Sequence, residues 1–369
     1  MYIYPNEFEI GWSILIVLYP FISGIIAGAF LIASLYRLFN VSSLKPVFRL
    51  SLLVSLSFLL STNFPLTMHL GHPERAFEII VTPHPSSAMA VFGYESLYLL
   101  IILTLILLYE YRVQFASQTG SGIKGVIYKI LTLGDYNTSE KALESDKKIS
   151  YYITWIALPS VIFLHGYVGF IFGSVKANPW WNTSLIPLIF LISGIVSGIA
   201  LTMLLYFVVS KIRSWEAKNC VESLSTLLLL FLLIGIFLEL LEIAHFMYLQ
   251  EEGVEIINEL ITQKLLISLI LQLGVGGVLP IGTLIFGKLK SGFSRNIYAL
   301  SSLLVLVGVF SMRWNVIIGG QLISKSLRGF AEYHIQIFGQ EGLITAVLAL
   351  VIPFFILWIL AKIFPLDEA

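Results

Sequence analysis

The chain has 369 residues, 57% of them hydrophobic and only 12% charged, where a soluble domain carries about a quarter. That composition excludes a soluble fold and implies a polytopic membrane protein with membrane lipid as a partner. Cationic and anionic residues balance at 22 each, so nothing recommends nucleic acid as a partner. The single cysteine, Cys220, excludes a disulfide framework, a cysteine-ligated iron–sulfur cluster and covalent haem within this chain.

Glu7 and Glu9 stand where a signal peptide would need basic residues, so no cleavable signal is expected. A span needs about 20 apolar residues. Nine stretches qualify, at 11–36, 47–68, 88–110, 150–174, 184–210, 221–248, 264–287, 297–319 and 342–363. Of the 22 lysines and arginines, 16 follow odd-numbered spans, and the opposite face has Arg75, Lys176, Lys264, Lys325 and Arg328. Positive charge stays on the cytoplasmic side, which puts the N-terminus outside and the C-terminus inside. The acids Glu251, Glu252, Glu255 and Glu259 then fall in outer loops.

Span one contains Tyr19-Pro20-Phe-Ile-Ser23-Gly24-Ile-Ile-Ala27-Gly28, and span five contains Ile192-Ser193-Gly194-Ile-Val-Ser197-Gly198. Both read Ile-Ser-Gly-x-x-small-Gly and run outside to inside. Spans two and six end near His69 and His245. These matches predict a parallel repeat of four spans, with a generic small-residue packing face as the alternative. The expected architecture is all-α: about nine transmembrane helices, as two parallel-repeat four-helix bundles plus one C-terminal helix. Its units are 1–111, which holds the first half of bundle one and an outer loop; the cytoplasmic loop 112–149; 150–183, the fourth span and an outer loop; 184–319, the second bundle; and 320–369. The loop 112–149 carries Gly120-Ser-Gly122 and a charged run, and reads as solvated, with an amphipathic piece at 123–133.

The loop between spans two and three holds three of the six histidines, in Met68-His69-Leu-Gly71-His72-Pro73-Glu-Arg75 and Thr82-Pro-His84. Ionisable residues inside spans are costly, by about 2.5 kcal/mol or more, and are functional candidates by default. Here they are Glu95, His165, Glu239, Glu242, His245 and Arg313, all in the outer half of the membrane. Positions 239, 242 and 245 share one helix face.

Three readings stay open. The residues form buried ion pairs, such as Arg313 with Glu95 or Glu239. Or they hold a metal or a haem: Glu242-x-x-His245 is half of a di-iron motif, and His165 with His245 are the only in-span histidines for axial ligation. Or they serve a quinone pocket, whose two-proton chemistry needs hydrogen-bonding partners and titrating groups within aromatic walls. Trp12, Tyr19, His69, His72, Tyr94 and Glu95 offer these at the outer end of the first bundle.

Four stretches carry a resemblance: Tyr19 to Leu31; Leu70-Gly-His-Pro73-Glu-Arg75 through His84-Pro85 to Gly93-Tyr94-Glu95; His165-Gly-Tyr-Val-Gly169 with Asn178-Pro-Trp180-Trp181; and Arg313-Trp-Asn315 to Gln321 with Glu341. In their order and spacing the chain resembles the polysulfide reductase membrane-subunit (NrfD-like) family. The resemblance implies a cytoplasmic-membrane subunit without haem or iron–sulfur cluster of its own, binding a quinone (a menaquinol-type quinol) as substrate. It implies two partners on the outer face, a ferredoxin-like [4Fe-4S] subunit and a molybdenum or tungsten bis-pterin catalytic subunit. Carried onto this sequence, quinone contacts fall at Tyr19, His69, His72 and Arg75; the reading of the residues themselves adds Trp12 and Tyr94, and offers Glu95, His165, Glu239, Glu242, His245 and Arg313 for proton transfer. Tyr19 stands where some members have a histidine. The implied activity is quinol oxidation feeding reduction of sulfur, polysulfide or a similar acceptor. A proton-translocating or transport protein and a purely structural anchor are the competing functions.

Overall fold

The computed structural model describes residues 9–118, 123–210, 214–249, 253–290 and 292–366. Glu7, Lys211, Arg213, Glu251, Glu252 and the Gly120-Ser-Gly122 stretch lie outside the described residues. Among the described residues there are nine helices long and apolar enough to cross a membrane. They are span one Ile14–Phe39, span two Ser42–His69, span three Ala88–Ser117, span four Glu140–Gly173, span five Ile186–Val209, span six Trp215–Tyr248, span seven Leu266–Leu289, span eight Arg295–Leu322 and span nine Leu343–Ile363. Because lysine and arginine concentrate at one end, the two ends are called below the lysine end and the histidine end.

Local chemistry sets the helix starts. Serine side chains cap three of them: Ser13 accepts from Leu15 N, Ser87 from Ala90 N and Ser139 from Ala142 N. The last cap corrects the sequence reading of 112–149. Span four begins at Glu140, not near 150, and span three continues to Ser117. The intervening segment, expected to be solvated, is clasped by a charge. Arg112 is 2% exposed; its Nε donates to both oxygens of buried Asp146 and its Nη1 to the carbonyls of Asp135 and Asn137. The amphipathic piece is a helix, Ile123–Leu131.

Span one is the axis of the molecule. In its apolar stretch 89% of residues are buried, against 22% in each of spans six, seven and nine, which form the lipid-facing periphery. Its main neighbours are spans five and two. The two repeat motifs meet face to face. A Cβ on Gly24 would stand 3.0 Å from Gly194 Cα, and one on Gly198 would strike the backbone of Gly28 and Ala29. Only glycine lets two backbones approach this closely. Spans one to four gather on one side of this crossing and five to eight on the other, with span nine packed on spans one and two.

Span seven departs from α-helical geometry. Ile270–Val278 (Ile-Leu-Gln-Leu-Gly-Val-Gly-Gly-Val) is π-helical, and so is Leu260–Lys264 just before the span. The glycines carry the cause, since Gly276 packs backbone to backbone on Gly308 of span eight. Such wide turns cluster at functional sites.

Candidate functional site

Three polar groupings lie on or near the histidine-end half of the bundle. The first is a mouth. His69 closes span two, Ser13 caps span one, and Glu341 precedes span nine. His69 Nδ1 lies 3.0 Å from Glu341 Oε2 and 3.4 Å from Ser13 Oγ. Gln340 Nε2 donates to the carbonyls of Met68 and Leu70, both at 2.8 Å, tying the segment before span nine to the end of span two. Ile10 N donates to Glu332 O at 3.2 Å, tying the same segment to the start of the chain. Beside these ties is an open cavity of about 340 Å³ lined by Glu9, Trp12, Ser13, Tyr333, His334 and Glu341, among others; His69 is outside its lining and meets it through Ser13 and Glu341. Trp12 forms an aromatic wall, stacked on Trp181 with ring centres 5.3 Å apart and edge-on to Phe172. Burial, helped by the Glu341 carboxylate, raises the Tyr333 phenol above its ordinary value, so it stays a neutral hydrogen-bonding group. A carboxylate oxygen accepts, so the contact with Glu341 puts the His69 ring proton on Nδ1 and leaves Nε2 as an acceptor.

The second grouping is a buried node where the halves meet. The His165 ring of span four is wedged against Gly24 and Gly194, in space that a Cβ at either position would take. Arg313 Nη2 lies 3.0 Å from His165 Nε2 and 3.2 Å from Phe190 O, and the guanidinium sits 3.9 Å from the Phe190 ring centre. A guanidinium only donates, so Nε2 accepts and the ring proton sits on Nδ1. That proton points to Ser23 Oγ, 3.3 Å away, whose own proton reaches Pro20 O. Tyr19 is 2% exposed, edge-on to Phe92, and its hydroxyl has no hydrogen-bond partner among the described residues. Among the described residues neither ion pair considered for Arg313 forms: its hydrogen bonds go to His165, the Phe190 carbonyl and Met312 Sδ.

The third grouping lies between spans six, seven and eight. Gln272 Nε2 donates to Glu239 Oε2 at 2.8 Å, and Asn315 Nδ2 donates to Gln272 Oε1 at 2.7 Å. Glu242 presents a buried Oε1 with no partner among the described residues. A void of about 20 Å³, the size of one water, is lined by Ser193, Glu239, Gln272, Gly276 and Gly308. Gln272 sits in the π-helical turn.

The other sequence candidates stand apart from these groupings. His72 and Arg75 are exposed on the loop, facing Glu74 at 2.9 Å and Glu78 at 3.8 Å. The Tyr94 hydroxyl accepts from His84 N, which braces the loop. Glu95 is half-buried against Ser160 of span four. His245 is exposed at the end of span six. Ser13, Tyr333, Ser23 and Gln272 were missed by sequence reasoning. Gln272 alone carried a usable signal, as an amide within a span.

A family model described as "Polysulphide reductase, NrfD" matches residues 5–325. The chain belongs to this NrfD family. It is 30% identical over 322 residues, 84% of this chain and 73% of the relative, to a selenate reductase subunit of Mesobacillus selenatarsenatis. It is 24% identical to a putative dimethyl sulfoxide reductase membrane subunit of Halobacterium salinarum, over 60% of this chain and 49% of that protein. It is 25% identical to protein NrfD of Escherichia coli, over 52% and 58% respectively. The chain is thus a multi-pass membrane protein of a family that supplies membrane subunits to oxidoreductase complexes. The NrfD match stops at residue 325, so Tyr333, Glu341 and span nine lie beyond it.

Proposed function

We propose that this chain is the quinol-oxidising membrane subunit of a respiratory reductase. The mouth carries the reading: a polar cavity with an aromatic wall, a neutral tyrosine and a histidine–carboxylate pair, at the end of the most buried helix. Oxidising a quinol removes two electrons and two protons. His69 accepts one proton at Nε2 while Glu341 holds Nδ1–H and stabilises the imidazolium that forms. The second His–Glu pair at the mouth, His334 with Glu332 at 3.2 Å, offers an exit toward water. The electrons leave for a ferredoxin-like [4Fe-4S] partner, and from it pass to a molybdenum or tungsten bis-pterin subunit. Charge distribution supports placing the mouth outside the cytoplasmic membrane. Exposed Phe77, Ile80, Val81, Ile337 and Phe338 on the loops around it fit a partner's docking face. Sulfur or polysulfide remains the acceptor class, joined by the selenate and dimethyl sulfoxide of the relatives' names.

The test is quinol oxidation by the purified complex. Glu341→Gln should lower kcat at least tenfold, and His69→Ala further, with assembly intact. Wild-type turnover in both variants would overturn the site. The third grouping favours a second role for the same chain. Two membrane-embedded carboxylates, a water-sized void and a π-helical turn form a proton-holding site away from the mouth, consistent with proton translocation coupled to quinol oxidation.

A further inference from the structure

One cavity lies outside all three groupings. It is a groove of about 620 Å³ lined by Phe21, Ile25, Phe58, Phe310, Trp314 and Phe354, among others. We infer that it holds the isoprenoid tail of the quinol, with Trp314 and Tyr333 as the joint between the tail groove and the head-group mouth. This rests on the quinol reading above and adds where the rest of the molecule lies.

Four observations carry it. The groove is at the right depth, because its span-eight wall runs from Trp314 back to Leu306, eight residues or about 12 Å along the helix, starting two turns below Leu322. It opens sideways, because span nine packs mainly on spans one and two and leaves a gap toward spans seven and eight. Its walls are aromatic and aliphatic, with Phe21 against Phe310 and Phe58 against Phe354 edge-to-face at 5.7 and 5.6 Å, so only an apolar chain suits it. It adjoins the mouth, because the Trp314 ring of its wall packs edge-to-face on the Tyr333 ring, 5.5 Å between centres, and Tyr333 lines the mouth cavity.

Charge selects the occupant. A phospholipid with its acyl chain in this groove would bring its phosphate against Glu9, Glu332 and Glu341. A quinol brings a neutral head whose hydroxyls donate to those same acceptors. Leu350 and Phe354 of span nine complete the groove, which therefore depends on a segment beyond the NrfD match.

The experiment compares a long-tailed menaquinol with a truncated, short-tailed analogue in the reconstituted complex. Val307, on the groove wall and partly exposed, is replaced by tryptophan to fill it. In Val307→Trp, KM for the long-tailed quinol should rise about tenfold, the cost of excluding roughly two methylene groups, with kcat and short-tail turnover unchanged. An unchanged long-tail KM alongside normal short-tail turnover overturns the tail groove and leaves the mouth standing. Failure of the wild type to oxidise either quinol overturns the mouth reading itself. A second readout needs neither turnover nor substitution. A quinone with a photoreactive group on its tail should label peptides of spans one, eight and nine, and labelling confined to the exposed faces of spans three and six overturns the inference.

Discussion

The contact between spans one and five invites a sharp test at Gly198. A Cβ added there would stand 2.7 Å from Ala29 N, within the backbone of the facing helix. Ordinary contacts between non-bonded heavy atoms are ~3.5–4.0 Å, so the two helices must part by about 1 Å over the length of the crossing. Forced overpacking costs about 1–3 kcal/mol. Alanine's better helix propensity returns about 1 kcal/mol. Gly198→Ala should therefore be destabilised by up to about 2 kcal/mol, with the upper end expected because backbone, not a flexible side chain, is in the way. Gly166→Ala, where nothing lies within 4 Å, supplies the control and should be neutral or stabilised by up to about 1 kcal/mol. Thermal midpoints of the two variants in detergent, followed by size-exclusion chromatography, give the comparison. Equal midpoints would refute the argument that this crossing is set by backbone contact.

Two further outcomes follow from other contacts. Arg112→Ala leaves buried Asp146 without its cation and frees the carbonyls of Asp135 and Asn137, so about 3–5 kcal/mol should be lost, seen as a lower thermal midpoint and earlier proteolysis at 123–139; a midpoint within about 1 °C of wild type would contradict the clasp. Glu239→Gln keeps a partner for Gln272 and removes the site's protonation, so quinol oxidation should continue while proton release in sealed vesicles falls to the scalar value. Unaltered release beyond the scalar value would remove Glu239 from any proton route.

Much of this fold was legible because membrane insertion is read from runs of apolar residues. Most of the nine spans lie within a few residues of expectation; span four starts ten residues early, where Ser139 and the Arg112 clasp extend it into its polar loop, and spans three and six run seven and six residues further at the lysine end. The repeat in spans one and five was visible as a pattern; that the two copies face each other was not, since periodicity says nothing about partners. The site was legible by residue type and not by pairing. Arg313 stood out as a costly residue within a span and His69 as one of three histidines in a single loop, but Glu341 is 272 positions from His69 and Arg313 is 148 from His165, separations that only tertiary packing resolves. His72 and Arg75 were drawn in because they neighbour His69 in sequence, and both are exposed on the loop; Tyr94 lies half-buried in span three, its hydroxyl accepting from His84 N. The π-helical turn at Gln272 was hidden, since the backbone contact of Gly276 with Gly308 within it joins two spans that the sequence does not pair.

The buried crossing of spans one and five also bears on how the chain is made. Span one leaves the ribosome before the other eight spans, yet its glycine face finds its partner only when residues 186–209 emerge, after three further spans have been made. Until then Ser23, Gly24 and Gly28 lack their span-five neighbours, and the ring of His165 has neither the span-five backbone nor Arg313 to rest on. The first four helices are therefore a waiting half-molecule, not a finished domain, and assembly of this protein is closed from its C-terminal half. A chain halted after span four should be recognised by membrane quality control as incomplete, however apolar its helices are.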